Sequence, residues 1–238
     1  MKQEGKYKVN DAETYHQPGV LRVHETTEQT KSFYNKIAKV YDAMSNRSEE
    51  PLRKAGIEML HPAPGEKILE IGFGTGHSLI ELAKFVEPNG KIFGIDVSEK
   101  MLEVAQTRAK QENIEDIIEL TCGDARHLPY EQESLDGVFM SFTLELFDTP
   151  DIIPVLNECK RVLKQNGRIV IVAMSRLCPE AVRTRFFEWV HRHFPHFFDC
   201  RPILVKQALE DAGFEIAESK LEKMWANVEI VCGLKKTS

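Results

Sequence analysis

The 238-residue sequence predicts a doubly wound α/β fold with a mostly parallel sheet. After Gly65, short runs rich in β-branched residues alternate with helical segments, and parallel strands need such crossover connections. A glycine-rich loop joins the first strand to the next helix. Two final strands are joined only by a short charged link, so we expect that pair to be antiparallel. We therefore predict seven strands, the last antiparallel, with helices on both faces.

The chain before the sheet divides into an arm and a cap. Residues 1–29 are polar and show no sustained period, so we expect a loosely held arm or lid there. Residues 30–62 are expected to form a helical cap of two helices, the first ending near Asp42 and the second beginning at Pro51. Residues 63–238 would form the core domain.

Inside the core, strands and helices alternate, and one insertion stands out. A segment crowded with aromatic and histidine residues, about 178–200, follows the fifth strand, and we expect a helical lid there. The first five strands are predicted at 67–71, 91–95, 117–121, 135–140 and 168–174. The helices are predicted at 75–85, 98–111, 151–163 and 202–212, and the last two strands at 214–219 and 225–233.

Composition excludes several classes of protein. Lys and Arg number 31 and Asp and Glu 37, a formal net charge of −6, so a general nucleic-acid binder, which needs a basic surface, is not expected. No apolar run approaches the roughly 18 residues of a membrane span, and no secretory signal opens the chain. We expect a cytoplasmic protein, leaving peripheral membrane contact open; the oligomeric state has no signal in the sequence.

The glycine loop predicts a ligand site. Residues 68–76 read ILEIGFGTG, a strand followed by glycines that open a helix. Gly72 and Gly74 permit unusual dihedral angles and close approach of the backbone to a ligand. The spacing is G-x-G-x-G, whereas the dinucleotide fingerprint is G-x-G-x-x-G. A cofactor without phosphates therefore fits better.

Two acidic residues follow the next two strands. Asp96 ends the second predicted strand and Asp124 follows the third, so both are expected at the carboxyl edge of the sheet, where open α/β sheets bind ligands. Asp96 suits the hydroxyls of a ribose, and Asp124 suits the exocyclic amine of adenine. Glu70, Asp96 and Asp124 are spaced by 26 and 28 residues, about one strand–helix–strand unit each.

These residues resemble the class I S-adenosylmethionine-dependent methyltransferases over about residues 30–238, with the signature LEIGFGTG at 69–76. The resemblance implies S-adenosylmethionine as cofactor. It implies that Glu70 lies near the methionine part and that Asp96 and Asp124 hold the ribose and adenine. The implied cofactor-binding set is Glu70, Gly72, Gly74, Gly76, Asp96, Val97, Asp124, Ala125 and Ser141.

Within that superfamily, two segments resemble the ubiquinone/menaquinone-biosynthesis C-methyltransferases and their small-molecule relatives. They are residues 33–42 and residues 157–168. The second departs from the usual pattern, because Gln165 and Asn166 replace a proline and a glycine. The resemblance implies methyl transfer to a small or lipid-like apolar acceptor, with quinone- or phenol-like C- or O-methylation favoured.

The acceptor site is expected to draw on the cap, the fourth strand and the lid. Aromatic residues concentrated in residues 186–198 suggest an apolar lid over an apolar substrate. A sulfonium methyl is already activated, so we expect positioning to supply most of the catalysis and any general base to have a modest effect. The candidate substrate-binding residues are Tyr34, Tyr41, Phe142, Arg176 and Trp189, and the candidate bases are Glu145, His191, His193 and His196.

Other interpretations remain open at this point. The three lid histidines and Cys200 have the ligand types of a zinc site, but His191 and His193 lack the helical i, i+4 spacing, so we expect no metal. A solvent-facing Glu145 is at least as consistent with the sequence as a base. The alternatives in function are a non-catalytic S-adenosylmethionine-binding regulatory module and an N-methyltransferase of a small amine. An NAD-dependent reductase is disfavoured by the loop spacing.

Overall fold

The structure, a computed structural model, describes residues 15–20, 22–23, 27–177, 201–224 and 226–236, the side chains of 37–47 excepted. The insertion at about 178–200, and with it the predicted lid, lies outside the described residues. The helices are α1 (Thr27–Leu60), α2 (His77–Val86), α3 (Glu99–Gln111), α4 (Thr149–Val162) and α5 (Val205–Asp211). The strands are β1 (Lys67–Ile71), β2 (Lys91–Asp96), β3 (Ile118–Cys122), β4 (Leu135–Ser141), β5 (Leu163–Met174), β6 (Phe214–Lys223) and β7 (Asn227–Lys235).

The seven strands form one sheet in the order β3-β2-β1-β4-β5-β7-β6. Strands β1 to β5 pair in parallel, and β7 runs antiparallel to both β5 and β6. The predicted doubly wound, mostly parallel sheet with an antiparallel last strand is confirmed. Strand β5 begins at Leu163 and not at Arg168, because Leu163 already pairs with Leu135 across a bulge.

The predicted pair of cap helices is wrong in one respect: α1 is a single 34-residue helix with Pro51 inside it. Proline in a helix interior removes one backbone hydrogen bond and crowds the preceding turn. Packing offsets this cost, since Leu52, Ile57 and Leu60 are buried against the sheet. Helix α1 approaches β5 closely at Gly56, where a Cβ would lie 2.4 Å from a methyl group of Val172. The helix therefore continues where the sequence alone favoured a break.

The two faces of the sheet carry separate hydrophobic cores. Helices α1, α2 and α3 cover one face, and α4 and α5 cover the other. Successive residues of β1 point to opposite faces of the sheet. Ile68 packs in the core under α1, α2 and α3, and Leu69 packs in the core under α4 and α5. This alternation follows from the two-residue period of a strand. A sheet covered on both faces leaves its strand ends for a site.

The described part of the N-terminal arm, for which we predicted a loosely held arm or a lid, is docked on the core. The Gln17 side chain is fully buried and forms hydrogen bonds of 2.9 and 3.1 Å with the carbonyl and amide of Leu204. Arg22 donates to both carboxylate oxygens of Asp148 at 2.6 to 2.9 Å. No helix in the described ranges combines the length and apolar character that crossing a bilayer requires.

Helix α4 starts at Thr149, two residues before the predicted start at Asp151. Asp148 is the N-cap, because its carboxylate accepts a 2.8 Å hydrogen bond from the Thr149 amide. The same carboxylate accepts from the Val23 amide at 3.1 Å. One side chain therefore begins a helix and holds the arm.

Candidate active site

A cavity of about 590 Å³ lies at the carboxyl ends of the parallel strands. Strand order reverses between β1 and β4, and open α/β sheets bind ligands at such a reversal. The cavity is lined by residues that follow β1, β2, β3 and β4, by the start of α1 and by Val23 of the arm. Among the predicted site residues it brings together Tyr34, Gly72, Gly74, Asp96, Val97, Asp124, Ala125, Ser141 and Phe142.

The glycines of the loop after β1 differ in their surroundings. Gly72 has φ +71°, and a Cβ there would lie 2.4 Å from the Thr143 side chain. Gly74 has φ +53°, and a Cβ there would meet no atom within 4 Å. Both dihedrals lie in the left-handed region that glycine adopts without strain. Since Gly74 lines the cavity, its missing side chain leaves room for a ligand.

Asp96, at the end of β2, is held in place by two backbone amides. Its Oδ2 accepts from the Gly74 amide and its Oδ1 from the Ser98 amide, each at 2.9 Å. Burial raises the pKa of Asp96 to about 6, while these amide hydrogen bonds oppose the shift. The carboxylate is thus pre-positioned beside the glycine loop, as predicted from the spacing.

Helix α1 connects to the same carboxylate through α3. Asn35 accepts a 2.6 Å hydrogen bond from the Ser98 hydroxyl and a 3.1 Å bond from the Lys100 amide. Ser98 is also the N-cap of α3, as predicted, accepting from the Met101 amide. The start of α1 is therefore held against the residue that orients Asp96.

Asp124, the predicted adenine acceptor, is already paired with a side chain that sequence reasoning missed. Arg126 donates to both oxygens of Asp124 at 2.6 to 3.1 Å. It also donates to Thr27 at 2.8 Å and to Asp151 at 3.0 Å. Burial acts to raise the pKa of Asp124, but the hydrogen bonds and charge of Arg126 outweigh it and hold the pKa below its usual value. Arg126 lies two residues after Asp124, a proximity that was visible in the sequence.

Two predicted cofactor residues do not line the cavity. Glu70 is buried, 2% exposed, and burial raises its pKa to about 8, opposed by a hydrogen bond with Ser78. Gly76 is the N-cap of α2, and a Cβ there would lie 3.1 Å from Ala105 of α3. Gly76 thus allows α2 and α3 to pack closely, which is a structural role.

The part of the cavity near the end of β4 and the arm has several apolar side chains beside the polar Ser141, Thr143 and Asp148. Tyr34, Phe142, Leu146 and Phe147 line it together with Val23. Of the other predicted substrate residues, Trp189 and the side chain of Tyr41 are outside the described part of the structure. Arg176 does not line the cavity; its guanidinium lies against Gly19 of the arm, where a Cβ would be 2.9 Å away.

The candidate bases fall into two groups. His191, His193 and His196 belong to the range 178–200, about which the structure says nothing. Glu145 lies in a short 3-10 helix, Leu144–Leu146, and is fully buried, in contrast to the solvent-facing alternative. Burial raises its pKa to about 8. Glu145 is not among the residues that line the cavity. Over the described ranges, no cluster of His, Cys, Asp and Glu could hold a metal ion.

Comparison with known proteins adds a family. The model of the ubiE/COQ5 methyltransferase family matches residues 22–200. A demethylmenaquinone methyltransferase of Lactococcus lactis is 36% identical over 202 residues, covering 83% of this chain and 73% of that protein. One from Symbiobacterium thermophilum is 32% identical over 175 residues, covering 72% and 69%. A SAM-dependent methyltransferase structure from Aquifex aeolicus is similar in fold, with TM-score 0.62 at 24% identity, covering 84% of this chain and 97% of that one.

Proposed function

Since the chain belongs to the ubiE/COQ5 methyltransferase family and is an S-adenosylmethionine-dependent methyltransferase, we propose that it methylates a small quinol- or phenol-like acceptor. The observation that carries the proposal is the cavity at the strand reversal, with Asp96 and Asp124 at the ends of β2 and β3 and several apolar side chains near the end of β4 and the arm. The relatives named demethylmenaquinone methyltransferases support a quinone-like ring as the acceptor class. We favour transfer to a ring carbon.

The residues present fit S-adenosylmethionine. The Asp96 carboxylate is fixed by the Gly74 and Ser98 amides and suits the two ribose hydroxyls. Gly74 leaves open space above the loop, and the loop lacks the spacing that holds a pyrophosphate. Asp124 would accept the adenine amine, sharing its oxygens with Arg126. When bound, the cofactor supplies an activated methyl group on a sulfonium.

The residues of the chain would then bind the acceptor, orient it and exclude water. Positioning a nucleophile close to an activated methyl can supply much of the reduction in barrier. The side chains of Val23, Tyr34, Phe142, Leu146 and Phe147 offer an apolar ring a favourable surface. Glu145 and the three histidines remain proposed bases, and we expect a modest effect on kcat when each is substituted.

We propose a cytoplasmic enzyme whose acceptor brings it to the membrane surface.

The proposal is tested with a panel of acceptors. The protein is incubated with S-adenosylmethionine and dithionite-reduced demethylmenaquinone, simple phenols or small amines, and release of S-adenosylhomocysteine is measured. We expect release with the reduced quinone, with mass spectrometry and NMR locating the new methyl on a ring carbon. Release only with amines would favour the N-methyltransferase. Tight cofactor binding with no release for any acceptor would favour the non-catalytic regulatory module and overturn the proposal.

A further inference from the structure

Two buried ionisable side chains are connected to the segment Leu144–Phe147, of which Leu146 and Phe147 line the cavity. Glu145 has no exposed surface and Arg201 is 1% exposed. Glu145 immediately precedes Leu146, which lines the cavity. Arg201 donates a 2.5 Å hydrogen bond to the carbonyl of Phe147, which also lines it. Glu145 is therefore the sequence neighbour of one cavity-lining residue, and Arg201 is hydrogen-bonded to the backbone of another, although neither side chain itself lines the cavity.

Each side chain uses only part of its hydrogen-bonding capacity. Glu145 accepts a 3.2 Å bond from the Met174 amide through Oε1. Its Oε2, and the Nε and Nη1 of Arg201, are buried and have no partner among the residues that the structure describes. Leaving a buried donor or acceptor unpaired costs about 1–3 kcal/mol, and more for a charged group. Unpaired buried atoms of this kind call for a ligand or a water.

The pair is not a structural salt bridge. Over the described ranges Glu145 and Arg201 share no hydrogen bond and no ion pair, although each charge acts on the other. Burial is the main cause of both pKa shifts, raising that of Glu145 to about 8 and lowering that of Arg201 to about 10. The charges nearby are Glu49 on α1, and Asp148 with its partner Arg22. None of them gives the free atoms a hydrogen bond.

Resting on the proposed function, we propose that Arg201 and Glu145 form the binding site for a hydroxyl group of a phenol- or hydroquinone-like acceptor. A hydroxyl both accepts and donates a hydrogen bond, so one group can satisfy a guanidinium N–H and a carboxyl oxygen together. Because these atoms are buried, the proposal requires residues 144–147 to shift for the hydroxyl to reach them. This segment is a 3-10 turn, whose hydrogen bonds are weaker than those of the strands beside it.

The experiment compares enzyme variants against matched acceptors. The acceptors are dithionite-reduced demethylmenaquinone and its two monomethyl ethers, each of which lacks one hydroxyl. We expect Arg201→Met to raise KM for the hydroquinone 10- to 100-fold, as expected for loss of a charge-assisted hydrogen bond. The affinity for S-adenosylhomocysteine should change less than twofold, and kcat less than tenfold. The ether that lacks the recognised hydroxyl should bind weakly to both proteins, with no further loss in the variant.

Further variants separate recognition from folding. Glu145→Gln keeps the shape and should raise KM less than Arg201→Met. Arg168→Met is the matched control: Arg168 donates to Glu66 and to the carbonyls of Leu60 and His61 at the opposite edge of the sheet, so KM should not change. Equal increases in KM for hydroquinone and both ethers, or no increase, would overturn the inference and leave a buried water as the partner.

A binding measurement keeps this inference separate from the proposed function. Calorimetry with 1,4-dihydroxynaphthalene, in the presence of S-adenosylhomocysteine, needs no turnover. We expect binding to the wild type and at least tenfold weaker binding to Arg201→Met, if melting shows both proteins folded. Should Arg201→Met fail to fold, Glu145→Gln provides the comparison, with a smaller expected loss of affinity. Wild-type binding without methyl transfer would count against the proposed function, whereas equal binding by wild type and variant would count against the hydroxyl site.

Discussion

Gly72 and Gly74 stand two residues apart in the same loop but are required for different reasons. Both have positive φ, yet only Gly72 is crowded, by Thr143, while Gly74 borders open cavity. A sequence motif treats the two positions alike. The structure separates them because Gly72 faces the Thr143 side chain, whereas Gly74 faces open space in the cavity.

We expect Gly72→Ala to reduce the free energy of unfolding by about 2–4 kcal/mol, from left-handed strain and overlap with Thr143. Gly74→Ala should cost about 1–2 kcal/mol from backbone strain alone, but should weaken binding of S-adenosylhomocysteine at least tenfold. Urea denaturation and calorimetry on the two variants check this. Similar stability losses with unchanged affinity for Gly74→Ala would contradict the assignment.

Asp96 predicts a pH dependence of cofactor binding. We expect Asp96→Ala to weaken binding of S-adenosylmethionine 10- to 100-fold, because charge-assisted hydrogen bonds to the ribose are lost. With its pKa at about 6, the carboxylate gains a proton as pH falls, so wild-type affinity should fall from pH 7 to pH 5. Asp96→Asn is the control, since it cannot titrate there. A wild type and Asp96→Asn with the same pH profile would exclude Asp96 as the cause.

At the scale of elements, helix α1 both packs on the sheet and borders the cavity. Its carboxyl half is buried on the sheet through Leu52, Ile57 and Leu60. Its amino half borders the cavity and is tied to α3 through Asn35 and Ser98. Helix α1 therefore contacts the sheet at its carboxyl end and the edge of the cavity at its amino end.

We expect Asn35→Ala to weaken cofactor binding about threefold to tenfold, because Ser98 loses its hydrogen bond and Asp96 is oriented less well. Hydrogen exchange should show faster exchange at residues 27–36 in the variant, and slower exchange there in the wild type when S-adenosylhomocysteine is added. Helix α5, on the other face of the sheet, is the internal control and should not respond. Equal exchange of residues 27–36 with and without ligand would show that α1 does not cover the cofactor.

For the whole molecule, buried carboxyl groups decide how stability depends on pH. Burial raises the pKa of Glu70 and Glu145 to about 8 and of Asp96 to about 6. Each group keeps its proton in the folded protein after the unfolded chain has lost it. The stabilisation is complete below the unfolded pKa and is lost as pH rises through the folded one. Carboxyl groups with a lowered pKa, such as Asp148 and Glu158, have the opposite effect: the stability they contribute is lost as pH falls through their folded pKa, at more acidic pH.

We therefore expect the free energy of unfolding to fall between pH 5 and pH 8. Glu145→Gln should reduce the dependence of the free energy of unfolding on pH, because glutamine has no proton to lose. The stability of the variant relative to the wild type should therefore increase as pH rises. The exposed Glu131→Gln is the control and should follow the wild type. Urea denaturation at pH 5, 6, 7 and 8 measures the slopes. A wild-type free energy that rises across this range would contradict the buried, protonated state of these groups.

The sequence by itself determined the sheet, the glycine loop and the acidic residues at its edge. Gly72, Asp96 and Asp124 each follow a strand that is recognisable from local pattern. Because parallel strands bring their carboxyl ends to one edge, local signals at three separate places were sufficient to predict a shared cavity.

Only the tertiary structure decided the groups whose environment depends on distant segments. The burial of Glu145 beside Arg201 and the docking of Gln17 on Leu204 join residues 56 and 187 positions apart. The continuity of α1 through Pro51 depends likewise on packing against β5. No local pattern encodes such contacts, because hydrogen bonding and burial are set by which surfaces meet when the chain folds. The sequence alone therefore does not distinguish an ionisable residue that folding leaves in water from one that folding buries without a hydrogen-bond partner.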